Sequence, residues 1–216
     1  MNISLSLDDL RAYTQKQLLY FFPDNHSYKI DKKCFNLAIE RAEYCFSKII
    51  FYNKNGLSFN HLHSDQYLSF LWILSNQIWS DAADEIVATK LYYLNKALHS
   101  FDCLYNNKLP SIFYIAHGVG TVLGKATYDD YLYVCKGVTV GSSRGSNYPK
   151  ISKWVSLGSD STIIGECILE DMSSVGAGTS IFNLKVERNK AVIRDKAGEL
   201  KIIHQNIPLS HYVFTK

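Results

Sequence analysis

Several absences narrow this sequence before any pattern in it is read. The five cysteines, at 34, 45, 103, 135 and 167, are an odd number and include no Cys-x-x-Cys pair. They give no disulfide framework and read as reduced, buried small hydrophobes, the usage expected of a cytoplasmic protein. No basic stripe occurs: 23 Lys and Arg and 20 Asp and Glu are spread along the chain for a net charge of +3. No nucleic-acid partner is expected. No apolar run is long enough to span a membrane, and "MNISLSLDDLRAYTQ" lacks the basic-then-apolar order of a signal peptide, so the chain is expected to be soluble and not transmembrane. Histidine is scarce where it would count. Between residues 100 and 203 only His117 occurs, so any imidazole chemistry in that stretch depends on it.

With 216 residues, 47% of them hydrophobic, the chain can bury a sizeable core as one large domain or two small ones. The first half carries the helical period. "SLDDLRAYTQKQLLYFF" opens with Ser6 and Asp9 at capping-box spacing, places Leu7, Leu10, Leu18 and Phe21 at helical intervals, and stops at Pro23. "DKKCFNLAIERAEYCFSKIIFY", "SDQYLSFLWILSNQIW" and "DEIVATKLYYLNKALHSF" predict three more helices, the last two each preceded by a Ser or Asp able to cap. Four helices with short loops make a small bundle, whose many Tyr, Phe and Trp belong to core and interface. The "HLH" at 61 to 63 is too short and isolated to argue for a metal.

After residue 110 another period takes over. Ile151, Leu157, Ile163, Leu169, Val175 and Ile181 follow at steps of six, with Val155, Ser161, Cys167, Ser173 and Thr179 two places ahead of the later five. Val134 and Val140 keep the step upstream, and the loop "GSSRGSNYPK" interrupts it. A step of six suits neither a bundle nor a sandwich. It suits a β-helix, in which each flat side takes one hexapeptide and three sides close a coil of about 18 residues. The predicted class is therefore α+β: an N-terminal α-helical bundle over 1–104, a parallel β-helix over 105–184, and a tail over 185–216. In the tail, "AVIRD" and "ELKII" flank the turn "KAG" as a hairpin that closes the last coil.

On this repeat, "DCLYNNKLPSIFYIAHGVGTVLGKATY", "GVTVGSSRGSNYPKISKWVSLGSDSTIIGE" and "SSVGAGTSI" resemble the serine acetyltransferase family of hexapeptide-repeat acyltransferases, over roughly residues 102 to 182. The resemblance implies a left-handed β-helix, a homotrimer, stacking of trimers through the bundle, and acetyl-CoA as co-substrate without a metal. It places His117 at the catalytic histidine and Asp102 at the carboxylate that orients it. An alcohol attacking a thioester must lose its proton as the bond forms, and histidine titrates near enough to neutrality to take it. A carboxylate on the other ring nitrogen would fix the tautomer. Gly141, Ser142, Ser159 and Ala177 fall where the family lines its pantetheine channel.

The chain departs from the family around the amino-acid acceptor. Ala116 stands where the family has an aspartate before the histidine, and Asn147 and Tyr148 replace an Arg-His pair in a shortened loop. Asparagine cannot supply the bidentate clamp of a guanidinium on a carboxylate, and Arg144 is the nearest substitute. Tyr148, Asn147 and Arg144 are the expected substrate-binding residues. The expected reaction is O-acetylation of a hydroxyl, first of a sugar in polysaccharide or nucleotide-sugar biosynthesis, with L-serine as the alternative. A non-catalytic assembly scaffold is a third reading. A zinc enzyme resembling γ-class carbonic anhydrase would need three histidine ligands, and the solenoid has one.

Overall fold

Ser6 caps the first helix as its sequence suggests, its hydroxyl accepting from the Asp9 N–H at 3.1 Å. The computed structural model describes residues 1–24, 28–143 and 146–215. Helix α1 spans Leu7–Phe21 and buries Leu10, Thr14 and Leu18. Helix α2, Lys32–Ser47, starts where Asp31 accepts from the Cys34 N–H at 2.8 Å. It stops short of the run read from sequence, because Ile49 adopts an extended backbone and bridges to Phe214 from the far end of the chain. A short α3, Ile50–Asn53, follows. Helix α4, Ser64–Gln77, is buried almost all round, and a wider turn at Ile78–Ala82 prolongs it. Its cap position is His63, with no side-chain cap bond, so Ser64 lies inside the helix and does not precede it. Helix α5, Glu85–His99, is capped by Asp84, which accepts from Val87 N–H at 3.0 Å, and ends at Ser100 with φ +52°.

Strands β1 (Asn2–Ile3) and β2 (Ser58–Phe59) pair in parallel beside the bundle, and the solenoid that follows is a left-handed β-helix with three parallel faces. The first holds β3 (Phe113–Ala116), β6 (Leu132–Cys135), β9 (Ser156–Leu157), β12 (Ser174–Val175) and β15 (Lys190–Arg194). The second holds β4 (Val122–Leu123), β7 (Thr139–Gly141), β10 (Thr162–Ile164) and β13 (Ser180–Phe182). The third holds β5 (Thr127–Tyr128), β8 (Lys150–Ile151), β11 (Ile168–Leu169) and β14 (Lys185–Val186). The six-residue step is one side of the triangle. Val134, Leu157, Val175 and Val192 stack inward on one face, Val140, Ile163 and Ile181 on the next, and Ile151, Leu169 and Val186 on the third.

At both ends the repeat is disguised. Tyr128 occupies an inward aliphatic position beneath Ile151, its hydroxyl donating to the Gly124 carbonyl at 2.7 Å. After Ile181 the step shortens to Val186 and then resumes at Val192, so the parallel ladder continues to Val192, past the boundary at 184. Strand β16, Leu200–His204, then pairs antiparallel with β15. One corner shows how the coils turn: Tyr131, Trp154, Met172 and Asn189, each about a coil from the last, all hold positive φ.

Bundle and solenoid share one core. The Cys45 thiol donates to the Phe113 carbonyl at 3.2 Å, and Trp72 meets the Phe113 ring edge-on at 5.7 Å. Residues 205–215 return as a strap the sequence did not reveal. Ser210 N–H donates to Ser156 Oγ at 2.9 Å, Ser210 Oγ to the Trp154 carbonyl at 2.7 Å, and Thr215 N–H to the Lys48 carbonyl at 2.8 Å. No described helix is long and apolar enough to cross a membrane.

Candidate active site

His117 lies just after β3, where the chain leaves the first face for the second, and it is exposed at φ +55°. Side-chain-bearing residues rarely hold this region, so something must fix it. Asp65, in the first turn of α4 and 3% exposed, accepts from the His117 N–H at 3.1 Å and from the Tyr114 hydroxyl at 3.4 Å. The next residue is pressed against the same helix: a Cβ on Gly118 would overlap the Leu68 side chain. Thus α4, reaching across from the bundle, sets the corner that carries the histidine. The imidazole has no hydrogen-bond partner among the described residues.

Main-chain bonds continue this corner up the solenoid. Gly137 N–H donates to Val119, Asp160 to Lys136, and Gly178 to Ser159, at 3.0, 2.9 and 2.8 Å. His117 opens into a cleft of about 390 Å³ lined by Phe51, Tyr114, Ala116, Tyr133, Cys135, Lys136 and Ser159. Cys135 is therefore half-buried in the cleft and does not share the full burial of Cys34, Cys45, Cys103 and Cys167. Burial pushes the Tyr114 phenol up to about 12, the neighbouring Asp65 charge adding to it, so the hydroxyl stays protonated as a donor. Tyr133 is raised as well, first by burial.

Asp102 is turned elsewhere. One carboxylate oxygen accepts from the Tyr92 hydroxyl at 2.8 Å and the other from Lys96 Nζ at 2.5 Å, both on α5. Burial, the largest single influence, opposes ionisation, but the bonds from Lys96 and Tyr92 prevail and hold the carboxyl below its ordinary range. No hydrogen bond joins Asp102 to His117, so the expected orienting contact is absent in this chain. Lys96, six residues earlier on α5, holds the carboxylate instead. The carboxylate that does reach the His117 residue, Asp65, lies 52 residues away and holds its main chain, not its ring.

The remaining expected residues divide between two corners. Ser159 lines the His117 cleft, and exposed Ala177 follows one coil above it. Gly141 and Ser142 lie at the other end of β7, on the corner where Gly165 N–H donates to the Gly141 carbonyl. Asn147 and Tyr148 line a separate recess of about 420 Å³ with Thr127, Lys150 and Glu166. Lys125 Nζ lies 4.7 Å from the Tyr148 ring centre. Arg144 lies outside the described residues. Within one chain, then, Asn147 and Tyr148 do not share the cleft of His117. Among the described residues no group of three or more His, Cys, Asp and Glu is placed to hold a metal ion.

No family model and no curated protein matches the chain. Solved structures do. Serine acetyltransferase from Brucella abortus strain S19 is similar at TM-score 0.65 and 19% identity, over 80% of this chain and 74% of that one. The Neisseria gonorrhoeae serine acetyltransferase gives 0.65 and 16%, over 83% and 72%. Soybean serine acetyltransferase complexed with serine gives 0.61 and 17%, over 87% and 74%. The fold is that of the serine acetyltransferases. In this fold a helical part precedes a left-handed β-helix, and the chain keeps that order with His117 at their junction.

Proposed function

We propose that the protein is an acetyl-CoA-dependent O-acetyltransferase with His117 as general base and a sugar hydroxyl as acceptor. The observation that carries the reading is the presentation of His117: an unpartnered imidazole at a cleft, on a corner pinned by a buried carboxylate. The acceptor hydroxyl gives its proton to the imidazole as its oxygen bonds to the thioester carbonyl carbon. The tetrahedral adduct collapses, the carbon–sulfur bond breaks, and the departing thiolate takes the proton back from the imidazolium. Ser159 and Ala177 flank the acetyl-CoA arm from this chain. Gly141 and Ser142 serve it from a neighbouring copy in a homotrimer, since their corner faces away from the chain's own His117. Asp102 secures the end of α5.

The test is CoA thiol release by the purified protein with acetyl-CoA and a panel of sugars. His117→Ala should lower the rate by about 10²- to 10⁴-fold while the protein stays folded. L-serine is the second reading, favoured by the likeness to a soybean enzyme solved with serine. Fast turnover on serine, with none on sugars, would establish it. Calorimetry with acetyl-CoA separates either enzyme from a scaffold, which should bind none.

A further inference from the structure

Three aromatic rings wall the cleft beside His117, and proton transfer makes no use of them. Tyr114 on β3 and Tyr133 on β6 stand in register on the outer face of the first sheet, ring centres 5.8 Å apart and planes 15° from parallel. Phe51 on α3 leans toward Tyr114 at 6.4 Å and is 50% exposed. Lys54 Nζ lies 5.8 Å from its ring centre, and the ring stands half in water at the cleft mouth. The polar groups sit at the corner side: His117, Ser159 and Lys136. The strap bounds the shelf one coil above Tyr133, where Ser156 Oγ is occupied by Ser210 N–H.

Charge in the cleft is cancelled. Lys136 is its one lysine or arginine among the described residues, and both oxygens of Asp160 hold it, at 2.7 and 3.0 Å. Ala116 adds no carboxylate. A zwitterionic acceptor would lose water around two charges, its ammonium meeting no carboxylate in the lining and its carboxylate only Lys54 outside it, 5.8 Å from the Phe51 ring centre, which is costly. A pyranose ring suits the surface better. Its C–H face is apolar and lies against the negative face of an aromatic ring, while its rim is all hydroxyl. The cleft volume falls in the range of small-molecule sites.

We infer that this cleft binds a neutral pyranoside, its C–H face on Phe51 and Tyr133 and its hydroxyl rim toward His117, Ser159 and the Lys136–Asp160 pair. The inference rests on the proposed acetyl transfer for the fate of the sugar, and on the cleft alone for its binding. Phe51, Tyr114 and Tyr133 are thereby specificity-determining residues. The bundle, through α3, supplies part of the acceptor site.

Methyl pyranosides of glucose, galactose, mannose and N-acetylglucosamine are to be titrated into the full chain and into His117→Ala by saturation-transfer NMR, with thiol release followed in parallel. At least one glycoside should bind both proteins. Phe51→Ala and Tyr133→Leu should weaken that binding tenfold or more and raise KM by more than they lower kcat. Tyr20→Ala, which removes an 87% exposed ring on α1, should leave binding as it was. The shelf is refuted if no glycoside binds the wild-type chain, or if binding is equally tight in both shelf variants. It is also refuted if serine turns over with a KM indifferent to them. A glycoside bound through the shelf without thiol release would uphold the shelf and bring down the acetyl-transfer reading.

Discussion

His117 holds its positive φ at a cost of order 1 kcal/mol, and Asp65 offsets that cost through the His117 N–H. Asp65→Ala should leave that donor unpaired, lower stability by about 1–3 kcal/mol in urea unfolding, and loosen the presentation of the imidazole. Asp65→Asn retains an acceptor, so acetyl transfer should recover toward wild type in that variant; equal loss in both would point to the charge instead. A second residue gives the fold a pH dependence. Burial, opposed by its Asn95 bond and the Asp65 charge, lowers the His99 pKa from 6.5 to about 4. The unfolded chain therefore takes up a proton at pH values where folded His99 does not. Its contribution is complete above about pH 6.5 and is lost as the pH falls toward 4. Discounted for partial exposure, it amounts to about 1–2 kcal/mol. Unfolding measured across this window should show the slope in wild type and a flatter line in His99→Gln.

The elements of the solenoid are only two to five residues long, so their order comes from stacking and from the corners. Gly158 illustrates how little room a corner leaves. A Cβ there would sit 2.7 Å from the Ala177 nitrogen and 2.9 Å from the Val175 oxygen, and main-chain atoms cannot swing aside. Gly158→Ala should cost about 1–3 kcal/mol, read as a lowered Tm. The helices follow local signals more closely. Ser6, Asp31 and Asp84 cap as their positions suggest. The exceptions have tertiary causes: Ile49 leaves the helix to pair with Phe214, and Ser64 lies within α4 and leaves Asp65 in its first turn, where it reaches His117.

Across the whole molecule, one core runs from α1 to β15, and the strap ties Lys48 and Ile50 of the bundle to residues beside the solenoid corner. Helices and coils should therefore unfold in a single transition, with far-UV helix signal and Trp154 fluorescence coincident; two separated transitions would show that the shared core does not couple them. Trp154 reports the junction because its ring stacks on Tyr131 at 3.9 Å and packs on His211 at 4.5 Å. The sequence by itself determined the order of bundle and solenoid, because a six-residue step and a helical period each follow from local backbone geometry. It also singled out His117, the one imidazole of its stretch. Only the tertiary structure decided which carboxylate meets that corner, since Asp65 is far off in sequence and Lys96 draws Asp102 away. The aromatic cleft was hidden for the same reason: α3, β3 and β6 each contribute one ring, and no spacing along the chain records that they meet.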